Sequence, residues 1–199
     1  SDRLYLPVEN VDQISKYLGS DKAPALNKIG GVEFAKTKSK VKSAVKKIAY
    51  DLIALYRERM NKKGVVYPVD DELQTSFENS FPYAETSDQL SAINDCKKDM
   101  EQGKIMDRLV CGDVGFGKTE VALRIAFKTI MSGRQVAFLC PTTILSEQHY
   151  STAKSRFADF GVKVEVLNRL KSPSEVSSII KSLKDGKIDM LIGTHKILG

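Results

Sequence analysis

Cysteine is scarce in this sequence. Cys96, Cys111 and Cys140 form an odd set, and no two stand at metal-ligand or redox spacing. A disulfide framework is therefore excluded, and the reading is buried free thiols in a reducing compartment, the cytoplasm. Histidine is scarcer: His149 and His195 lie far apart with no cysteine or second histidine beside either, which argues against a zinc site. Charges interrupt every hydrophobic run well short of the ~20 residues a membrane-spanning helix needs, so no membrane partner is expected. Ser1-Asp2-Arg3 does not open a signal peptide. Internal repeats and low-complexity tracts are also missing. The start at Ser1 and the end at Leu198-Gly199 read as cuts through a longer protein.

What is present is the composition of an ordinary soluble globular protein, 42% apolar and 28% charged. The 199 residues suffice for one full domain and an appendage. The net charge of +6 is unevenly spread. Residues 1–64 hold 14 basic and 7 acidic side chains, residues 65–100 hold 2 and 8, and residues 101–199 hold 15 and 10. Basic ends around an acidic middle suggest modules, and a basic surface permits nucleic-acid binding without proving it.

Arg3–Val8 alternate well enough for one strand, with Pro7 making it an edge strand or a strand end. Asn10 is placed to cap a short helix through Leu18, and residues 19–31 read as loop. A long helix is predicted from Val32 to Lys63, because Val41, Val45, Ile48, Leu52 and Leu55 form one apolar stripe free of Gly and Pro. Six lysines fall between Lys36 and Lys47, where they oppose the helix dipole. They read either as contacts to phosphates or an acidic partner, or as a solvated face. Residues 65–80 read as an acidic linker. From Phe81 onward, apolar runs at Leu109–Cys111, Gln135–Cys140, Val162–Leu167 and Ile188–Ile192 alternate with helical stretches near 118–132, 143–159 and 173–185. The fold class is therefore α/β, a parallel sheet with flanking helices, incomplete in this chain and preceded by a long helix and the remnant of a β domain.

Gly112-Asp113-Val114-Gly115-Phe116-Gly117-Lys118-Thr119 fits the P-loop pattern G-x-x-x-x-G-K-[ST], between a predicted strand and a predicted helix. Glycines let the backbone bend around phosphate oxygens where a Cβ would intrude, and successive N–H groups near the helix start form an anion nest. ATP and Mg²⁺ are the expected cofactors. Lys118 and Thr119 are the catalytic candidates, Lys118 on the β- and γ-phosphates and Thr119 on the metal. The loop alone does not choose among kinases, GTPases, transporters and helicases.

The flanks do. Phe81-Pro82-Tyr83-x-x-Thr86-x-x-Gln89, whose Gln89 lies 23 residues before Gly112, resembles the adenine-recognising Q-type motif of superfamily 2 helicases. Pro141–Leu145 resembles their motif Ia, and Ile192–Lys196 their motif Ic. The combination is similar to the double-stranded DNA translocases, the branch that holds the transcription-repair coupling factors and the RecG fork-remodelling helicases. Gly112–Leu123, Glu147–Tyr150, Gly193–Leu198 and the lysine-rich helix upstream resemble the coupling factors more closely, with Phe34 where that family usually has tryptophan.

That resemblance implies residues 1–31 as the end of an RNA-polymerase-interacting domain, 32–64 as a connecting helix, 65–80 as a linker and 81–199 as the first part of a RecA-like motor domain. It implies ATP-driven movement on double-stranded DNA behind a stalled RNA polymerase. An excision-repair damage-recognition protein would dock through regions outside this chain. Phe81 would pack on adenine and Gln89 hydrogen-bond it, with Thr86 and, just past the loop, Glu120 completing the nucleotide set. Phe81 also suits a plain core aromatic and Thr86 with Gln89 a capping box alone, and the roles are compatible. Thr142, Thr143, His195 and Lys196, past the ends of parallel strands, are the DNA-binding candidates, although capping or loop duty suits each equally well. The family's Walker B segment and second lobe are expected beyond Gly199, so the chain alone is expected to be inactive. A RecG-like helicase, a polymerase-interaction module formed by residues 1–64 and a nucleotide kinase are the competing readings.

Overall fold

The computed structural model describes residues 3–16 and 32–198, in two compact units, Ser1–Asn61 and Lys62–Gly199. In the first unit the predicted strand at Arg3–Val8 is absent. Residues 3–7 are irregular and lead into a 3-10 helix at Val8–Gln13. A strand needs a ladder partner, and none lies beside this segment among the described residues. The 3-10 helix stands where a helix from Asn10 through Leu18 was expected, and the predicted loop at 19–31 lies outside the described residues. Helix α1 (Val32–Asn61) is the long helix expected, and none of its residues is buried.

In the second unit, helices α2 (Glu72–Asn79), α3 (Ser87–Glu101), α4 (Lys118–Met131), α5 (Thr143–Arg156) and α6 (Pro173–Lys184) surround three parallel strands. The strands are β1 (Val136–Leu139), β2 (Val164–Leu167) and β3 (Met190–Gly193), in the order β1-β3-β2. Local chemistry sets the helix starts. The Thr86 hydroxyl accepts from Gln89 N while the Gln89 side chain accepts from Thr86 N, and Ser172 with Glu175 repeats that capping box ahead of Pro173. The predicted strand at Leu109–Cys111 is not part of the ladder, since no described strand lies beside it to take its hydrogen bonds.

Residues 65–80 are not a linker. They contain α2, whose Phe77 is completely buried and stacks on Phe127 of α4 at 4.2 Å and on Phe157 at 5.2 Å between ring centroids. Part of the acidic charge that marks the segment in sequence is paired in three dimensions. Asp70 accepts from Lys97 and Lys128, both at 2.6 Å, and Lys128 also reaches Glu101 at 2.8 Å. Burial works against the Asp70 carboxylate, but hydrogen bonds and charge from Lys128 and Lys97 outweigh it and hold its pKa below the usual aspartate range.

Such a carboxylate adds stability above its unfolded pKa of ~3.9, and that stability is lost as pH falls through the lower folded value. Glu85, hydrogen-bonded by Arg124, and Asp99, hydrogen-bonded by Arg108, are lowered too. Urea denaturation is expected to show stability falling once the pH drops below about 4. Asp70→Asn should be less stable at neutral pH, with the gap to wild type closing in acid. A gap that stays constant from neutral pH to acid would rule this linkage out.

Candidate nucleotide and nucleic-acid sites

The segment from Gly112 to Gly117 runs directly into α4. Gly115 and Gly117 both have positive φ, 86° and 67°, and Gly117 is the N-cap of the helix. At Gly117 a side chain is excluded twice over. The left-handed backbone disfavours one, and a Cβ would lie 2.3 Å from Gln89 Nε2. The first amides of α4 have no partner within the helix and carry the positive end of its dipole, the arrangement that holds an anion. Lys118 Nζ folds back to donate to the carbonyls of Gly112 and Asp113, both at 2.6 Å, so its ammonium lies within the loop's own curve. Asp113, Val114 and Phe116 are exposed at the tip, and Thr119 is half-buried.

Gln89 bonds in two directions. Its side-chain oxygen completes the capping box, and its Nε2 donates to Phe116 O at 3.1 Å, tying the start of α3 to the loop. Thr86 caps α3 through its hydroxyl. Phe81, Tyr83, Gln89, Gly117 and Thr119 line one cavity of about 810 Å³, closed on the far side by α5. Phe81 is half-buried, edge-on to Tyr83, with the Arg124 and Arg156 guanidinium groups 5.4 and 5.6 Å from its ring centre.

Glu120 also lines this cavity, but both its carboxylate oxygens are engaged. Arg124 Nε donates to Oε1 at 2.9 Å, and Arg156 donates to Oε1 at 2.8 Å and to Oε2 at 3.1 Å. Arg156 further donates to Ser80 Oγ and Phe77 O, and Arg124 to Glu85. The three side chains lock α4, α5 and the segment before Phe81 together. Neither arginine was singled out from sequence, because their partners are up to 79 residues away.

The second cavity, about 990 Å³, opens at the carboxyl ends of the strands. It gathers Thr142, Thr143, His195 and Lys196, all four sequence candidates, and adds Arg169. Thr142 also caps α5 through Leu145 N. The gathering depends on Gly193, where a Cβ would sit 2.2 Å from Leu167 O, so the ends of β2 and β3 close up only around a glycine. Buried Asn168 fastens the rim: it donates to Ser146 Oγ and Glu147, and its carbonyl accepts from Lys196 Nζ at 3.3 Å. Arg169 is exposed and stands two residues past the β2 end; its position just past a predicted strand was the available signal.

Residues 86–199, more than half of the chain, match the DEAD/DEAH box helicase family. The chain belongs to that family. Along its full length this helicase-family chain is 53% identical to the transcription-repair-coupling factor of Bacillus subtilis strain 168 and 52% identical to that of Staphylococcus haemolyticus strain JCSC1435. The chain spans 17% of the length of each of these curated relatives. A solved structure of RecG bound to a three-way DNA junction superposes with a TM-score of 0.67 at 36% identity, over 72% of this chain and 20% of that one. The fold is accordingly RecA-like, and membership of the helicase family implies nucleotide binding. No described helix is long and apolar enough to cross a membrane.

Proposed function

We propose that this chain is the nucleotide-gripping part of an ATP-driven translocase on double-stranded DNA, in a cytoplasmic protein that displaces stalled RNA polymerase and couples transcription to nucleotide excision repair. The observation that carries the reading is identity of about one residue in two with transcription-repair-coupling factors across all 199 residues, including the 85 that precede the helicase match. Residues 1–31 are assigned to the end of a polymerase-interacting domain, α1 to the connection and residues from 81 onward to the first motor domain. The RecG likeness supports fork remodelling as the second reading.

The glycine-bent loop would cradle the ATP phosphates on its amides, and Lys118 would swing from the two loop carbonyls to the transferring phosphoryl group, whose charge it stabilises. Mg²⁺ would neutralise phosphate charge, with the Thr119 hydroxyl as a ligand. Phe81 would pack on the adenine ring while Gln89 trades part of its bonding to the loop for the base. At the other cavity the hydroxyls of Thr142 and Thr143 and the cations of Arg169 and Lys196, with His195, would grip phosphates without reading sequence.

The reading is tested by ATP turnover of the full-length protein with linear duplex and with three-way junctions. Stimulation by linear duplex, with displacement of stalled polymerase, is the expected result. A response to junctions alone would put fork remodelling first, and no response to either would defeat the motor reading. The 199-residue chain alone is inferred to bind nucleotide weakly and not to hydrolyse it: Glu120, the acidic residue next to the loop, is held by two arginines, and the resemblance puts the carboxylate that would orient the attacking water in a part of the motor outside these residues. Steady turnover by the chain, abolished in Lys118→Ala, would overturn that inference.

A further inference from the structure

Helix α1 serves as a connection in the motor reading, which gives its strong charge no task. Lys36, Lys38, Lys40, Lys42, Lys46 and Lys47 are all exposed, and none pairs with a carboxylate of a described residue. No acidic residue lies between Glu33 and Asp51. Lysines in the first half of a helix oppose its dipole, so local stability does not account for them.

Their spacing is specific. Lys38, Lys42 and Lys46 follow one another at steps of four and form one row. Lys36, Lys40 and Lys47 form a second row, roughly 140° away at about 100° per residue. Between the rows lie small residues, Ala35, Ser39 and Ser43. The apolar stripe of Val41, Val45, Ile48, Leu52 and Leu55 lies on the remaining side.

A strip of small side chains flanked by two cationic rows suits a helix placed between two lines of negative charge. The major groove of duplex DNA is such a place: it is about 12 Å wide, and a helix with its side chains measures about 10–12 Å. The six lysines span roughly 17 Å of helix, over which a duplex carries on the order of ten phosphate charges. A membrane surface fits less well. The apolar stripe continues through Leu52 and Leu55, where Asp51, Arg57, Glu58 and Arg59 mix the charge, while an interfacial helix would keep lysine along its whole polar face.

We propose that the lysine-rich half of α1 is a second duplex-DNA contact, lying in the major groove with one lysine row on each phosphate backbone. The proposal rests on the reading of this chain as part of a duplex-DNA motor, and it adds a contact outside the cleft at the sheet edge.

The test is binding of a short fluorescent duplex to the 199-residue chain by anisotropy, from about 50 to about 200 mM salt. Three variants accompany wild type: all six lysines to Gln, Lys38/Lys42/Lys46 to Gln, and Arg169→Gln with Lys196→Gln in the cleft. Glutamine keeps helix propensity, and circular dichroism checks the helix. The six-lysine variant is expected to bind at least about tenfold more weakly and to have a log–log salt slope shallower by about 3–5, with the single-row variant losing about half of that slope.

An unchanged slope in the six-lysine variant overturns the proposal, as does failure of wild type to bind duplex at the lowest salt. If the cleft variant loses binding while the six-lysine variant does not, the proposal fails and the motor reading stands. The opposite pattern upholds α1 as the contact and removes support from the cleft. Phosphatidylglycerol vesicles in place of duplex distinguish the membrane alternative: vesicle binding lost in the six-lysine variant, with duplex binding intact, overturns the proposal.

Discussion

Lys118→Ala should bind a fluorescent ATP analogue at least about tenfold more weakly than wild type in the 199-residue chain, and should lower turnover in the full-length protein by about 10²–10³-fold. The side chain is exposed, and among the described residues its only hydrogen bonds are to the carbonyls of Gly112 and Asp113 in its own loop. Removing it takes a positive charge from the proposed phosphate cradle and nothing from the core. The denaturation midpoint should therefore stay close to that of wild type. Equal analogue affinity in the two proteins would mean that the loop does not use its lysine on phosphate. A large fall in stability would mean that Lys118 holds the loop together instead.

Phe77→Ala should destabilise the second unit by about 3–5 kcal/mol in urea titration. Phe77 is fully buried, stacked on Phe127 and Phe157, edge-on to Phe160 and covered by the Arg156 guanidinium 4.1 Å from its ring centre. Truncation leaves a hole bounded by aromatic rings that cannot collapse without unstacking. It also removes the platform beneath Arg156 and so loosens the grip on Glu120. A loss below about 1 kcal/mol would show that α2 is dispensable to the core and would return residues 65–80 to the status of a connector. Phe77→Leu, which keeps most of the volume, should fall between the two.

The two substitutions probe features that differ in how far they can be read from a one-dimensional chain. The loop from Gly112 to Thr119, the capping box of Thr86 and Gln89, and the starts of α3, α4 and α6 rest on interactions between residues at most a few positions apart. A glycine at positive φ, a hydroxyl on the third amide and an apolar period carry the same meaning in any surroundings. For the same reason the alternation of β1, α5, β2, α6 and β3 was legible within one or two residues at most boundaries. The cleft candidates were legible as strand-end positions, and the fold gathers them.

Elements that depend on distant partners were not legible. Leu109–Cys111 and Arg3–Val8 have strand-like side chains, yet a strand exists only as a ladder, and neither segment has a described neighbour to pair with. The acidic run from 65 to 80 has the composition of a linker because its compensating charges, Lys97 and Lys128, come from α3 and α4. Glu120 sits beside the phosphate loop in sequence, but the partners that occupy its oxygens, Arg124 and Arg156, come from one turn along α4 and from the end of α5. The amino-acid order was enough to propose the chemistry of the loop, since a P-loop draws its phosphate donors from the backbone and one lysine of eight consecutive residues. Only the tertiary structure could decide what surrounds that loop, because buried charge and stacked rings take their meaning from whichever partner the fold delivers.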